Sequence, residues 1–149
     1  VVIDYPKKEE EKIILRQNID KNYPQAQKVT TTNDIINARK VCREVYLSEK
    51  IENYITDIVF ASRYPEDFKL KKLTNFISYG GSPRATINLA MAAKAYDFIK
   101  RRGYVIPEDV RAVAADVMRH RIGLTYEAEA ENITTEEVIN EILNVVEVP

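Results

Sequence analysis

A short run of residues, Gly80–Ala85, combines the residue types expected of an anion-binding turn. Ser82 suits the N-cap of a helix and Pro83 suits the first helical position, so a helix is predicted to begin at Pro83. The glycines before them permit a tight turn and a close approach of the backbone. Arg84 falls in the first helical turn, where the helix dipole disfavours a cation. An arginine beside free backbone N–H groups makes an anion site, and the alternative is an ordinary solvated side chain.

The spacing along this helix predicts which way Arg84 points. At about 100° per residue, the polar side chains gather on one side of the helix; they are Thr86, Lys94, Asp97, Lys100 and Arg101. Arg84 projects almost opposite to them, together with Met91, Ala95 and Ile99. Arg84 is therefore predicted to lie on the packed side and to point toward whatever covers this end of the helix.

Other patterns that carry catalysis or metal binding are missing from the sequence. It has no GxxxxGK[ST] run, no HExxH and no CxxC, so no Walker-type phosphate loop and no metal site are predicted. The single histidine, His120, lies between two arginines at a predicted helix end, which indicates a capping role. Cys42 lies on an apolar face and is interpreted as a small core residue. The serines have no other histidine partner, so a nucleophilic triad is not expected.

Length, charge and cysteine content limit the possible functions. The chain has 149 residues, enough for one domain or two small ones. With 22 basic and 23 acidic residues its net charge is −1, which argues against general binding to nucleic acid or to an acidic membrane. No apolar run reaches the roughly 18 residues of a membrane span. One cysteine allows no intrachain disulfide, so we expect a reducing compartment, the cytoplasm.

Few glycines and long helical periodicity predict an all-α bundle of five to six helices around the helix that begins at Pro83. That helix should end near Arg102, before Gly103, and bury Leu89, Ala92, Tyr96 and Ile99. The other helices are predicted to end near Asn22, to follow Thr31, to run from Ser48 to before Pro65, to begin at Pro107, and to begin after Thr134. Residues 66–79 fit either a short helix or a loop, and residues 123–129 are predicted to be a loop. Val1–Ile3 is predicted to be the end of a strand whose sheet lies outside this chain.

Several runs, in their order and spacing, resemble the C-terminal region of MoxR-family AAA+ ATPases. They are Tyr5-Pro6 with Glu9-Glu10-Glu11, Tyr54-Ile55 with Ala61-Ser62-Arg63, Gly80-Gly81-Ser82-Pro83-Arg84-Ala85, Ala92-Ala93-Lys94-Ala95, Tyr104-Val105-Ile106-Pro107-Glu108-Asp109-Val110 and Arg119-His120-Arg121. The resemblance covers nearly the whole chain and is densest from Tyr79 to Arg121. It departs from the family at Gly81, where alanine is usual, and this small exchange is compatible with the turn.

The resemblance implies that this chain is one part of a longer protein, with an ATPase core and a lid that have different roles. Residues 1–6 would be the remaining strand and linker of a missing ATPase core, and residues 7–149 the helical AAA+ lid. Arg84 would be the sensor-2 arginine, a catalytic residue that reaches the γ-phosphate of ATP, and the turn Gly80-Gly81-Ser82-Pro83 would help to bind the nucleotide. ATP with Mg would be the cofactor of the full-length protein, whereas the isolated chain should neither hold it tightly nor hydrolyse it.

The implied partners are the AAA+ core and neighbouring subunits of a ring, expected to be a hexamer. The MoxR group is associated with chaperone-like maturation of complexes, whose components often carry von Willebrand factor A domains. The alternative function is a stand-alone helical protein-interaction module. A DNA-binding reading of the paired helices is opposed by Glu108 and Asp109, because acids at the start of the second helix would repel phosphate.

Overall fold

The computed structural model of the chain describes residue 3 and residues 5–20 and 23–149, which contain seven α-helices, one or two more than predicted. The helices are α1 (Lys8–Ile19), α2 (Thr32–Glu44), α3 (Glu49–Arg63), α4 (Pro83–Ile99), α5 (Pro107–Met118), α6 (Tyr126–Ala130) and α7 (Thr135–Val145). The remaining regular elements are the strands β1 (Ile77–Tyr79) and β2 (Gly123–Leu124) and the 3-10 helices Pro65–Phe68 and Lys71–Asn75. The all-α fold class is confirmed. Of the predicted N-terminal strand, Val1 and Val2 lie outside the described residues.

The chain divides into two compact units, Val1–Ile36 and Asn37–Pro149. In the first unit, α1 has Glu9, Glu10 and Glu11 in its first turn, and its last helical residue is Ile19. The predicted end at Asn22 falls outside the described part of the chain. Thr31 with Asp34 three residues later resembles a capping box, and the structure has this box before α2: the backbone N–H of each residue donates to the side chain of the other, at 2.9 and 3.2 Å. The hydrogen bond from the Thr31 hydroxyl lowers the pKa of Asp34. Whether residues 7–149 act as one lid domain stays a prediction.

The core of the second unit is built from α3, α4, α5 and α7. Apolar residues at helical spacing predict one buried face on α3 and one on α7. The structure confirms both faces, since the buried residues include Ile51, Tyr54, Ile55, Ile58 and Val59 in α3, and Val138, Ile139, Ile142 and Leu143 in α7. Their caps are also as predicted, with Ser48 Oγ accepting the Ile51 N–H at 3.4 Å and Thr134 Oγ1 accepting the Glu137 N–H at 3.2 Å. Apolar residues at helical spacing therefore located these two faces correctly.

The buried side of α4 differs from the prediction. Its buried residues are Ala85, Leu89, Ala93 and Asp97, one every four residues. Leu89 is buried as expected, whereas Ala92 and Tyr96 are half-buried and Ile99 is 72% exposed. Residues four apart lie along one stripe of a helix, and small residues in such a stripe let a neighbouring helix approach closely. The two buried alanines fit this geometry, because α4 packs most extensively against α5.

The C-terminal end of α4 also differs. The helix ends at Ile99, and the residue in the left-handed region is Arg101, with φ 60°, not Gly103. The reversal brings Arg102 back over the last turn, where its Nε donates to Asp97 Oδ1 at 3.0 Å and its Nη2 pairs with Asp109. Asp97 was predicted on the solvated side but is fully buried, because Arg102 supplies the charge that allows it to be buried there.

Residues 66–79 form the two 3-10 helices and β1, and residues 123–129 contain β2 and most of α6, so the predicted loop at 123–129 is wrong. β1 and β2 form a two-stranded antiparallel sheet in which Ile77 faces Leu124 and Tyr79 faces Gly123. Immediately after β2, the Thr125 hydroxyl caps α6 by accepting the Ala128 N–H at 3.2 Å. Strands of two and three residues have no stability of their own, so the pattern of either segment alone could not predict them.

The end of α5 is stabilised by arginines rather than by His120. Arg121 Nε donates to the Val117 carbonyl at 3.0 Å, while Arg119 pairs with Asp116 at 3.0 Å and with Glu136 of α7. The two arginines thus stabilise the helix C-terminus, whereas His120, which was predicted to cap it, is exposed. None of the helices in residues 5–20 and 23–149 is long and apolar enough to cross a membrane.

Candidate anion-binding turn before α4

The turn before α4 is held against the C-terminal end of α3 by Ser62. The Ser62 side chain is fully buried, and its hydroxyl makes two hydrogen bonds. It donates to the Val59 carbonyl at 2.6 Å and accepts the backbone N–H of Gly81 at 2.9 Å. The buried hydroxyl is therefore satisfied on both sides, and one of its partners is the backbone of the predicted site.

Arg63 binds Gly81 at its other backbone polar group, the carbonyl. Its Nε donates to the Gly81 carbonyl, and its guanidinium lies over the Phe60 ring at 4.9 Å from the centroid. Both backbone polar groups of Gly81 are thus bound by consecutive residues of α3. Stacking on Phe60 limits the freedom of the long Arg63 side chain, which makes the arrangement more rigid.

The two glycines serve close approach, as predicted, and not an unusual backbone conformation. Neither has a positive φ. A Cβ on Gly80 would run into the backbone carbonyl of Ser62. A Cβ on Gly81 would lie 3.0 Å from the Ala85 Cβ and 3.3 Å from Val59 Cγ1, a tight contact that small shifts can relieve. The position where alanine is usual in the resembling family is therefore the more tolerant of the two.

The helix begins at Pro83, with Ser82 at the N-cap, as predicted. The Ser82 side chain makes no capping hydrogen bond, so its contribution is the backbone carbonyl, which accepts the Ala85 N–H at 2.7 Å. Pro83 fixes its own φ and has no N–H to satisfy. The direction of the first turn of α4 is consequently set by the backbone of Gly81–Pro83.

Arg84 is exposed in this first turn. Within the described ranges no hydrogen bond or ion pair engages its guanidinium. Every other α-helix of those ranges has an acidic residue in its first turn, whereas α4 has none. A free arginine at the positive end of a helix dipole creates a region of positive potential suited to an anion.

The predicted packing around Arg84 is wrong for this chain. Met91, on the same side of α4, is 55% exposed, and Ile99 is 72% exposed. The apolar residues of α4 are spread around most of its circumference, so helical periodicity could not tell the core side from the open side. On this side of α4, the apolar side chains of Met91 and Ile99 are therefore largely exposed.

The structure brings all five predicted site residues, Gly80, Gly81, Ser82, Pro83 and Arg84, into one turn. Sequence reasoning did not identify the roles of Ser62 and Arg63. The available signal was the run Ala61-Ser62-Arg63, which places a hydroxyl and a cation at the end of an apolar helix. No group of three or more histidine, cysteine, aspartate or glutamate side chains in the described residues could hold a metal ion.

Comparison with known proteins identifies the fold. Residues 74–142 match the family described as AAA lid domain. The chain is similar to chaperone MoxR1 of Mycobacterium tuberculosis, 36% identical over 99% of this chain and 39% of that protein. It is 33% identical to the uncharacterised protein YeaC of Bacillus subtilis, over 97% of this chain and 43% of that protein. A crystal structure from Cytophaga hutchinsonii, described as a "putative ATPase", superposes with a TM-score of 0.87 at 42% identity, over 99% of this chain and 45% of that chain.

The bundle and its match define a helical AAA lid domain. The relatives extend the similarity over almost the whole chain, and this is consistent with the C-terminal lid of a MoxR-family AAA+ protein. It spans about two fifths of the length of the curated relatives it matches.

Proposed function

We propose that this chain is the nucleotide-sensing lid of a MoxR-like AAA+ ATPase, and that Arg84 is its sensor-2 arginine, which contacts the γ-phosphate of ATP in the full-length protein. The observation that carries the proposal is that Arg84 is exposed and has no hydrogen-bond or ion-pair partner in the described chain. It lies in the first turn of α4, directly after a turn in which both the N–H and the carbonyl of Gly81 are hydrogen-bonded to α3. An arginine in that place has no stabilising role within the described chain. A phosphate would supply the missing partner.

The residues present fit one part of a nucleotide site. Arg84 offers a planar, permanently charged fork suited to a phosphate oxygen. The described residues offer neither a phosphate loop nor a carboxylate cluster for Mg. ATP with Mg would therefore be held mainly by a core domain, and the lid would add a charge contact as phosphoryl transfer proceeds. Because the lid and the core are separate domains in this proposal, such a contact also reports which nucleotide is bound.

The proposed role and partners of the full-length protein are based on its similarity to the relatives. MoxR1 is described as a chaperone, and we extend a chaperone-like role to the full-length protein. Its partners would be its own core, neighbouring subunits of a ring, expected to be a hexamer, and a protein with a von Willebrand factor A domain. The mass of the full-length protein with ATP, measured by light scattering after size-exclusion chromatography, tests the ring. A monomer at every nucleotide state would contradict it.

The test of the Arg84 role compares Arg84→Ala and Arg84→Lys with wild type in the full-length protein. Arg84→Ala should lower the ATPase rate about 100-fold or more, the typical effect of removing one charge-stabilising group. Arg84→Lys should recover only part of the rate because lysine lacks the planar fork. The melting temperature should hardly change, since an exposed residue without a partner contributes within about half a kcal/mol.

Arg43→Ala is the matched control. Arg43 is exposed on α2, and the group of Arg43 that Lys94 binds is its backbone carbonyl, which alanine keeps. This variant removes the same charge and should retain full turnover. Full turnover of Arg84→Ala, or a loss explained by melting alone, would refute the sensor role.

A further inference from the structure

We propose that Ser62 is a positioning residue for Arg84, an inference that rests on the proposed function. The two side chains need not touch. Ser62 acts through the backbone of Gly81, which it binds from the last turn of α3. The loss of its hydroxyl should therefore disturb the same catalytic contribution that Arg84 makes.

The Ser62 hydroxyl is buried and makes two hydrogen bonds, unlike a hydroxyl on the protein surface. It is fully buried next to Ala61 and three residues after Val59, in a helix whose other buried residues are mostly apolar. A hydroxyl in such a place costs free energy unless it is hydrogen-bonded, and Ser62 makes its two bonds at 2.6 and 2.9 Å. The second of these bonds is one of the two hydrogen bonds that join α3 to Gly81, and Arg63 makes the other.

The path from Ser62 to Arg84 is short and has little freedom. Gly81 is bound at its N–H by Ser62 and at its carbonyl by Arg63. Pro83 has a fixed φ, and the Ser82 carbonyl accepts the Ala85 N–H at 2.7 Å. The backbone at Arg84 is therefore determined by the position of the Gly81 peptide.

Arg84 depends on this path because no hydrogen bond or ion pair within the described residues holds its side chain. Catalytic groups lose effect steeply with displacement, and a misplacement of about 1 Å can cost roughly 100-fold. Ser62→Ala leaves the Gly81 N–H without its partner in a buried place, so the turn must shift or exchange its bond for water. Either response moves the first turn of α4.

The experiment is a double-mutant cycle in the full-length protein, with Ser62→Ala, Arg84→Ala and the double variant. Ser62→Ala should lower kcat for ATP hydrolysis about 10- to 100-fold. The double variant should be no slower than Arg84→Ala, because a positioning residue has nothing left to position once Arg84 is gone. Hydrogen exchange of the backbone segment 80–85 should be faster in Ser62→Ala than in wild type.

Ser48→Ala is the matched control on the same helix. Ser48 Oγ also accepts a backbone N–H, at 3.4 Å, but at the other end of α3. The variant should lose a comparable amount of stability and keep both kcat and the exchange rate of segment 80–85. If both serine variants lower kcat alike, the effect of Ser62 is general destabilisation and the inference is wrong.

The outcomes separate the two proposals. If Arg84→Ala keeps full turnover, the sensor role fails and the positioning role falls with it. If Arg84→Ala is slow while Ser62→Ala is unaffected, or if their effects multiply in the double variant, only the positioning role is overturned.

Discussion

Replacement of Leu89 by alanine tests which side of α4 faces the core. Leu89 is fully buried in the stripe with Ala85 and Ala93, on a helix that packs against both α3 and α5. The substitution removes three carbon atoms, worth about 2.4 kcal/mol at roughly 0.8 kcal/mol per methylene. The cavity left in an enclosed site adds to this, so a loss of about 3–4 kcal/mol is expected.

Met91→Ala is the matched control, because Met91 lies on the same helix and is 55% exposed. It should change the free energy of unfolding by less than about half a kcal/mol. Urea unfolding followed by far-ultraviolet circular dichroism measures the free energy of unfolding of both variants. In thermal unfolding, the melting temperature of Leu89→Ala should fall by about 6–16 °C. A cost below half a kcal/mol for Leu89→Ala, or an equal cost for Met91→Ala, would show that the assigned core side is wrong.

Three further predictions concern the glycine turn, acid stability and catalysis. Gly80→Ala should destabilise the chain more than Gly81→Ala in the same urea assay, because a Cβ at Gly80 meets a backbone carbonyl of α3 whereas its counterpart at Gly81 needs only small shifts; equal effects would contradict this. The hydrogen bond from Arg119 lowers the pKa of Glu136 below its ordinary value of 4.5, so Glu136 stabilises the fold above that pH and loses this effect as the pH falls through its folded pKa. Glu136→Gln should therefore flatten the loss of stability in acid, and an unchanged dependence of the free energy of unfolding on pH would contradict this. Finally, the isolated chain should show no ATP hydrolysis in a phosphate-release assay and no tight binding of Mg-ATP by calorimetry, and turnover above background would refute the assignment of these functions to a core domain.

The features of the candidate site that depend on neighbouring residues in the sequence could be predicted. A serine, a proline and two glycines in sequence specify a turn and a helix start, and an arginine in the next position conflicts with the helix dipole. The contribution of α3 was not predictable. The hydrogen bond from Gly81 to Ser62 joins residues 19 positions apart, and no periodicity relates them.

The sequence by itself determined where most helices begin and which faces of α3 and α7 are buried. Caps, prolines and amphipathic spacing act within a few residues, so their consequences can be read along the chain. Helix α4 is apolar around most of its surface, and its packing against α3 and α5 decided that Leu89 is buried and Ile99 exposed. The burial of Asp97 likewise required Arg102 to return over the end of the helix, and β1 required β2 as a partner. Tertiary structure decided these features because each depends on two segments that meet only when the chain is folded.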